Sequence, residues 1–184
     1  MRYGRAVMHR LFVAIRLPRP ARDRLLSVMG GIRTARWQTG DQLHLTLRFI
    51  GEVDRHLADD VHAALSEVRH PPFDIALSGL GSFERRGRPT TLWAGVSPRE
   101  PLETLHHKID QALRRAGVEP DRRAFHPHVT LARLKGGAGP IRPLIEAAGG
   151  IVSPPFTIAQ FHLLESRLTP AGAAYEVVDS YSLG

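Results

Sequence analysis

The chain has no cysteine. Disulfides, thiolate metal sites and a cysteine nucleophile are therefore excluded, and any metal would have to be held by histidines and carboxylates. Lysine is almost missing too: of 25 basic residues only Lys108 and Lys135 are lysines, and the others are arginines. Acidic residues number 18, which leaves a net charge of +7 and an isoelectric point near 10.9. Such a surface favours anionic partners, nucleic acid or phosphate esters among them. The arginine fork pairs bidentately with phosphate, although a GC-rich coding bias produces the same skew. Aromatic residues make up 7%, too few to predict a platform for stacked bases. Long apolar runs are lacking as well. The longest near the start, Leu11 to Ile15, is too short for a secretory core or a membrane span, so the expectation is a cytoplasmic protein with no membrane role.

What remains is an ordinary globular composition, 42% hydrophobic and 23% charged over 184 residues, which excludes disorder and collagen. No Pro-rich or Ser-rich linker divides it, so one α+β domain is expected over residues 10–184, preceded by a loose basic extension at 1–9 in which Met8 offers an alternative start.

Hydrophobic spacing supplies the elements. Leu11 to Leu17 reads as a buried strand that stops at Pro18, and a helix follows from Pro20 to the Gly30-Gly31 pair. Leu43 to Phe49 alternates: Leu43, Leu45, Leu47 and Phe49 point one way, and His44, Thr46 and Arg48 the other, with Gly51 breaking the strand. Asp54 is a good N-cap for a helix over Arg55 to His70. Phe73 to Leu80 and Thr90 to Val96 form a hairpin around a loop holding Arg85, Arg86 and Arg88. Ser97, Pro98 and Glu100 suggest a capping box for a helix whose buried stripe is Leu102, Leu105, Ile109 and Leu113, with His106 and His107 facing solvent or half-buried. Strands are expected at Phe125 to Leu134, Phe156 to Leu164 and Tyr175 to Ser182. A Gly/Pro-rich loop at Gly136 to Pro143 leads into at most a short helix.

One pattern occurs twice. HLTLRF at residues 44 to 49 is matched by HVTLAR at 128 to 133, each in a strand-like segment. Period-two alternation puts His44 beside Thr46 and His128 beside Thr130, so each strand offers an imidazole and a hydroxyl on one face. Two such strands around a cleft supply what an in-line phosphoryl displacement uses: a base for the attacking oxygen, an acid for the leaving oxygen, and neutral donors for the non-bridging oxygens. A single H-x-T is common by chance, and it is the recurrence that points to catalysis. A zinc site on His126 and His128 lacks a nearby carboxylate or third histidine, so no metal is expected.

These motifs, with RLFVAIRLP near the start, the tryptophan followed by LHLTLRFIGEV, TLWAGV and FHPHVTLAR, resemble the RNA 2′,3′-cyclic phosphodiesterases, the bacterial and archaeal 2′-5′ RNA ligase-like proteins of the 2H phosphoesterase superfamily. The likeness runs from about Arg10 to Leu183. It implies a bilobal, pseudo-twofold fold of two antiparallel-rich sheets with flanking helices around a central cleft. It also implies opening of RNA 2′,3′-cyclic phosphate ends, tRNA halves included, to 2′-phosphates without metal or cofactor, sometimes with reversible 2′-5′ ligation. By the same resemblance His44 is the proton donor, His128 the proton acceptor, Thr46 and Thr130 hold the phosphate, and Arg133 is a further phosphate contact. Strict alternation turns Arg133 away from the His128 face unless the strand has ended. The basic N-terminus and the Arg85 to Arg88 loop depart from the family pattern. A monomer is expected. The alternatives are a phosphodiesterase acting on small 2′-5′ oligonucleotides or cyclic nucleotides, and a non-catalytic module that binds RNA ends.

Overall fold

A computed structural model describes residues 8–134, 141–148, 150–170 and 172–184. In chain order the elements are β1 (His9–Arg16), α1 (Arg19–Leu26), β2 (Ala35–Trp37), a 3-10 turn (Gly40–Gln42), β3 (His44–Val53), α2 (Arg55–Ser66), β4 (Phe73–Arg85), β5 (Arg88–Ser97), α3 (Glu100–Arg115), β6 (His128–Leu134), α4 (Arg142–Ala148), β7 (Phe156–Ile158), β8 (Gln160–Thr169) and β9 (Gly172–Ser182). The nine strands follow the order β7-β4-β5-β6-β3-β1-β8-β9, with β2 also paired to β6. The α+β class is thus as expected.

The order falls into two halves of four strands that radiate from the two motif strands. Running outward, one half is β3, β1, β8, β9 and the other is β6, β5, β4, β7. They meet at a single antiparallel residue pair, Leu45 with Val129. An antiparallel pair carries a local twofold axis through its centre, so this one contact relates the two halves.

Each strand puts one face into a shared core. Leu45, Leu47, Val129 and Leu131 pack there with Val61 and Leu65 of α2 and with Leu102, Leu105, Ile109 and Leu113 of α3. Each fully buried Leu or Ile contributes roughly 1.5–3 kcal/mol of transfer free energy, which fixes the helices to this face and leaves the opposite one open. Asp54 caps α2 as expected, accepting from the Leu57 amide at 2.9 Å. The Arg85 to Arg88 segment is the tip of the β4–β5 hairpin, turning through Arg86 and Gly87, both at positive φ. No helix among the described residues is long and apolar enough to cross a membrane.

Several boundaries differ from the sequence reading. Residues 1–7 of the expected extension lie outside the described residues, as does most of the Gly136 to Pro143 loop. His9 does not belong to a loose extension: it opens β1 opposite Val53, and its Nδ1 lies 2.9 Å from Glu165 Oε1. β3 does not stop at Gly51 but continues to Val53, because an extra residue at Ile50 bulges beside the glycine, whose φ is +95°. α2 ends at Ser66, short of His70. No capping box forms at Ser97, which stays in β5, so the N-cap of α3 is Arg99 without a side-chain bond. The strand expected from Phe125 begins only at His128. Phe156 to Leu164 is split into β7, paired to β4, and β8, paired to β1, which lie in opposite halves of the sheet order.

Candidate active site

Because β3 and β6 run antiparallel through Leu45 and Val129, His44 comes opposite Thr130 and Thr46 comes opposite His128. The two leucine-side residues are buried, so the four polar ones share the open face. The histidines stand on one diagonal of this square and the threonines on the other. In a regular ladder such diagonal neighbours lie about 7–8 Å apart, with the Cβ atoms somewhat closer, which leaves room for a phosphoryl group between two imidazoles.

Both imidazoles are tethered in the same way. His44 Nδ1 lies 2.7 Å from the Gln42 carbonyl, and His128 Nδ1 lies 2.6 Å from the His126 carbonyl. A carbonyl only accepts, so Nδ1 carries the hydrogen in each ring and Nε2 is left to gain or lose a proton. Burial pushes the His44 pKa down to about 4; the Gln42 bond opposes this, and the charges of His128 and Arg133 add to it. His128 is lowered by burial first, opposed by its bond to His126 and assisted by the His126 and Arg133 charges. Arg133 therefore acts on both histidines, and an anion bound among them would raise both pKa values.

Arg133 reaches this face through a defect in the ladder. In the β5–β6 pairing Leu92 opposes Ala132 and Trp93 opposes Thr130, so Leu131 is an extra residue that shifts the phase of everything after it. Leu131 and Ala132 are both buried, and Arg133 returns to the side of His128, its Nη1 3.1 Å from Thr91 Oγ1. β3 carries the same defect. Val13 opposes Arg48 and Ala14 opposes Thr46, which makes Leu47 the extra residue. The sequence assignment of the next two side chains is accordingly reversed. Arg48 is 4% exposed on the core side, with Nε 2.7 Å from Asp110 Oδ1, Nη2 2.6 Å from the Glu119 carbonyl and Nη1 on the Phe49 carbonyl. Phe49 is 47% exposed and lies on the His44 side, its ring 6.1 Å from Phe12 and under the Arg123 guanidinium. Each bulge carbonyl has its own donor: His106 Nδ1 for Leu47, at 2.7 Å, and the Gln38 amide for Leu131, at 2.8 Å.

Aromatic side chains wall each histidine. Phe12 and Tyr175 stand 5.1 and 5.0 Å from the His44 ring, and Phe83 and Trp93 stand 4.8 and 6.1 Å from the His128 ring. A Cβ at Gly81 would fall 2.4 Å from Trp93, so glycine is what lets the indole lie against β4. These walls, Phe49 and His106 were not singled out from the sequence as part of a site. The pairing of distant strands that assembles them leaves no local pattern. Among the described residues no three His, Asp or Glu side chains converge as metal ligands would.

A family model, the 2′-5′ RNA ligase superfamily, matches residues 32–169. The chain belongs to this superfamily. The RNA 2′,3′-cyclic phosphodiesterase of Aeropyrum pernix is 34% identical over 141 residues, covering 75% of this chain and 80% of that protein. The enzyme of the same name from Archaeoglobus fulgidus is 29% identical over 170 residues, 91% of this chain and 96% of that one. Among solved structures, apo LigT of E. coli superposes with a TM-score of 0.77 at 26% identity, over 96% of this chain and 98% of that one. A Thermus thermophilus protein gives 0.81 at 27% identity, over 94% and 97%. The superfamily match omits β1 and β9, the strands that bring Phe12 and Tyr175 to His44.

Proposed function

We propose that this superfamily member hydrolyses RNA 2′,3′-cyclic phosphate ends to 2′-phosphates by metal-independent acid–base catalysis. The observation that carries the reading is the diagonal pair of Nδ1-tethered imidazoles, each with no hydrogen-bond partner at Nε2 among the described residues, on the face that also holds Thr46, Thr130 and Arg133. The names of the relatives and the 3′-AMP complex of E. coli LigT support the substrate class.

Water attacks phosphorus and gives a proton to His128 Nε2. The bond from phosphorus to O3′ breaks, and O3′ takes a proton from His44 Nε2. A P–O(water) bond replaces the P–O3′ bond, the phosphate stays on O2′, and solvent resets the two imidazoles. Thr46, Thr130 and Arg133 donate to the non-bridging oxygens, where charge grows in the transition state. A 5′-hydroxyl in the place of water would leave a 2′-5′ linkage by the same displacement.

An oligonucleotide ending in 2′,3′-cyclic phosphate, incubated with the protein in chelator, tests the reading. Release of the 2′-phosphate isomer is expected. The 3′ isomer would reverse the leaving group, tight binding without turnover would mark an RNA-end binding module, and activity that chelator abolishes and a divalent ion restores would overturn the metal-free route.

A further inference from the structure

The floor of the cleft is not symmetric beyond its central square. Opposite His44 in the β1–β3 ladder stands Arg16. Alternation along β1 sends Leu11, Val13 and Ile15 into the main core and leaves Phe12, Ala14 and Arg16 on the cleft face. In the other half the residue opposite His128 is Gly95, where a Cβ would meet the Ser78 carbonyl at 2.5 Å, so that half has no side chain at the equivalent place. Arg16 is exposed and takes part in none of the ion pairs among the described residues. Its neighbour across Ala14 is His162, buried and hydrogen-bonded through Nδ1 to Ser180 Oγ at 2.8 Å. Burial, with the Arg16 charge as a second cause, lowers the His162 pKa, and an imidazole, neutral or protonated, has no negative charge with which to offset the guanidinium. An uncompensated cation thus lies one strand, about 4.8 Å, beyond His44 on the cleft face.

Resting on the phosphodiesterase reading above, we propose that Arg16 binds the phosphodiester on the 5′ side of the terminal nucleoside. In-line displacement sets the direction. Water enters from the His128 side, so O3′ and the ribose that carries it lie towards His44, and the 5′ substituent of that ribose extends over β1. A guanidinium there meets two non-bridging oxygens with parallel donors. In the His128 half Gly95 stands in the matching place, so no side chain there mirrors Arg16, and the RNA chain is expected to leave over β1.

The test compares two substrates that differ in one group: a nucleoside 2′,3′-cyclic phosphate with a free 5′-hydroxyl, and the same nucleoside carrying a 5′-methylphosphate diester. The wild-type protein is expected to favour the diester in kcat/KM by about tenfold, the order of one charge-assisted hydrogen-bonded contact. Arg16→Gln should bring that ratio near one, and Arg16→Lys should keep part of it. Raising salt should shrink the wild-type ratio and leave the Arg16→Gln ratio where it is. An unchanged ratio in Arg16→Gln, or a wild type that treats the substrates alike, overturns the assignment while leaving the phosphodiesterase reading in place. Turnover of neither substrate by the wild type overturns that reading, and this inference with it.

Discussion

Phe49 and Arg133 occupy the same place in the two motif copies, and each is turned onto the cleft face by one extra residue in its strand, Leu47 in β3 and Leu131 in β6. The local twofold axis therefore relates an aromatic ring to a cation. On the proposed mechanism Arg133 donates where charge develops, so Arg133→Gln should lower kcat by about ten- to a thousandfold, as removal of one preorganised donor does. Phe49 has no charge to offer and should express its loss mainly in KM. Steady-state kinetics on a cyclic-phosphate dinucleotide separates the two, and wild-type kcat in Arg133→Gln would remove it from the phosphate site.

Arg48 is the other product of the β3 bulge. Its guanidinium is buried and ties β3 to Asp110 of α3 and to the Glu119 carbonyl. Asp110→Ala leaves that charge without its counter-ion and should cost about 3 kcal/mol, the low end for a broken buried pair, since Asp110 keeps some exposure. Replacing both partners, Arg48→Met with Asp110→Leu, should restore much of the loss. Urea denaturation of the three proteins decides it, and a double variant no better than Asp110→Ala would refute the account.

Residues that act through period and spacing were legible in the sequence. The alternation at Leu43 to Leu47, the helical stripe of α3 and the repeated His-x-Thr depend on near neighbours, and they give the α+β class and the face shared by His44 and Thr46. What was not legible depends on partners far along the chain. A bulge is defined by counting residues against the opposite strand, so nothing in HLTLRF or HVTLAR marks Leu47 or Leu131 as extra. The reversal of Arg48 and Phe49 follows from that one omission. The Phe156 to Leu164 run misled for a related reason: its apolar pattern is continuous across Ala159, while its two pieces pair with β4 and β1.

His106 donates to the Leu47 carbonyl and stacks on Phe125 at 4.1 Å, its ring 2° from parallel. These two contacts can be removed separately. His106→Phe keeps a stack and loses the donor, whereas His106→Asn places an amide hydrogen near the position of Nδ1 and loses the stack. If the bond fixes the bulge and hence the placement of Thr46 and Phe49, kcat/KM should fall about tenfold in His106→Phe and recover in His106→Asn, even where His106→Asn has the lower Tm. Activity that simply follows Tm across the pair would reduce His106 to a packing residue.

Burial of His44 carries a pH signature in stability. Its folded pKa of about 4 lies below the 6.5 of an exposed imidazole, so the unfolded chain takes up the proton first. Stability is therefore unaffected by this group above pH 6.5, falls as pH drops towards 4, and by then has lost up to ~3 kcal/mol. His128 and His162 are lowered too and act in the same direction. Between pH 7 and pH 4.5 the Tm of His44→Gln should decline less than that of the wild type, with a residual slope from these two and from His126, which is lowered as well. Parallel declines would mean that His44 is not held neutral by burial.

If the two imidazoles act as proposed, they set the pH dependence of catalysis as well. On the proposed mechanism turnover requires one proton on the pair: below about pH 4 both rings are charged and no base remains, and above the His128 value both are neutral and no acid remains. Between these limits the free protein carries the proton first on His128, because the more deeply buried His44 is held lower, so His44 donates from the minor form with the proton exchanged, which a phosphate bound beside it favours. The kcat/KM profile should therefore be a bell with its maximum between about pH 4 and 6.5, and an alkaline maximum would contradict the site. The limbs belong to the pair, so roles need a different probe. A phosphodiester with a nitrophenolate leaving group needs little protonation of the departing oxygen, because that oxygen already tolerates its charge. On this substrate His44→Ala should recover much of the rate it loses on RNA ends, while His128→Ala should stay impaired for want of a base for water. Rescue of His128→Ala in place of His44→Ala would exchange the two roles. Equal rescue of both would show that neither imidazole acts by protonating the leaving group.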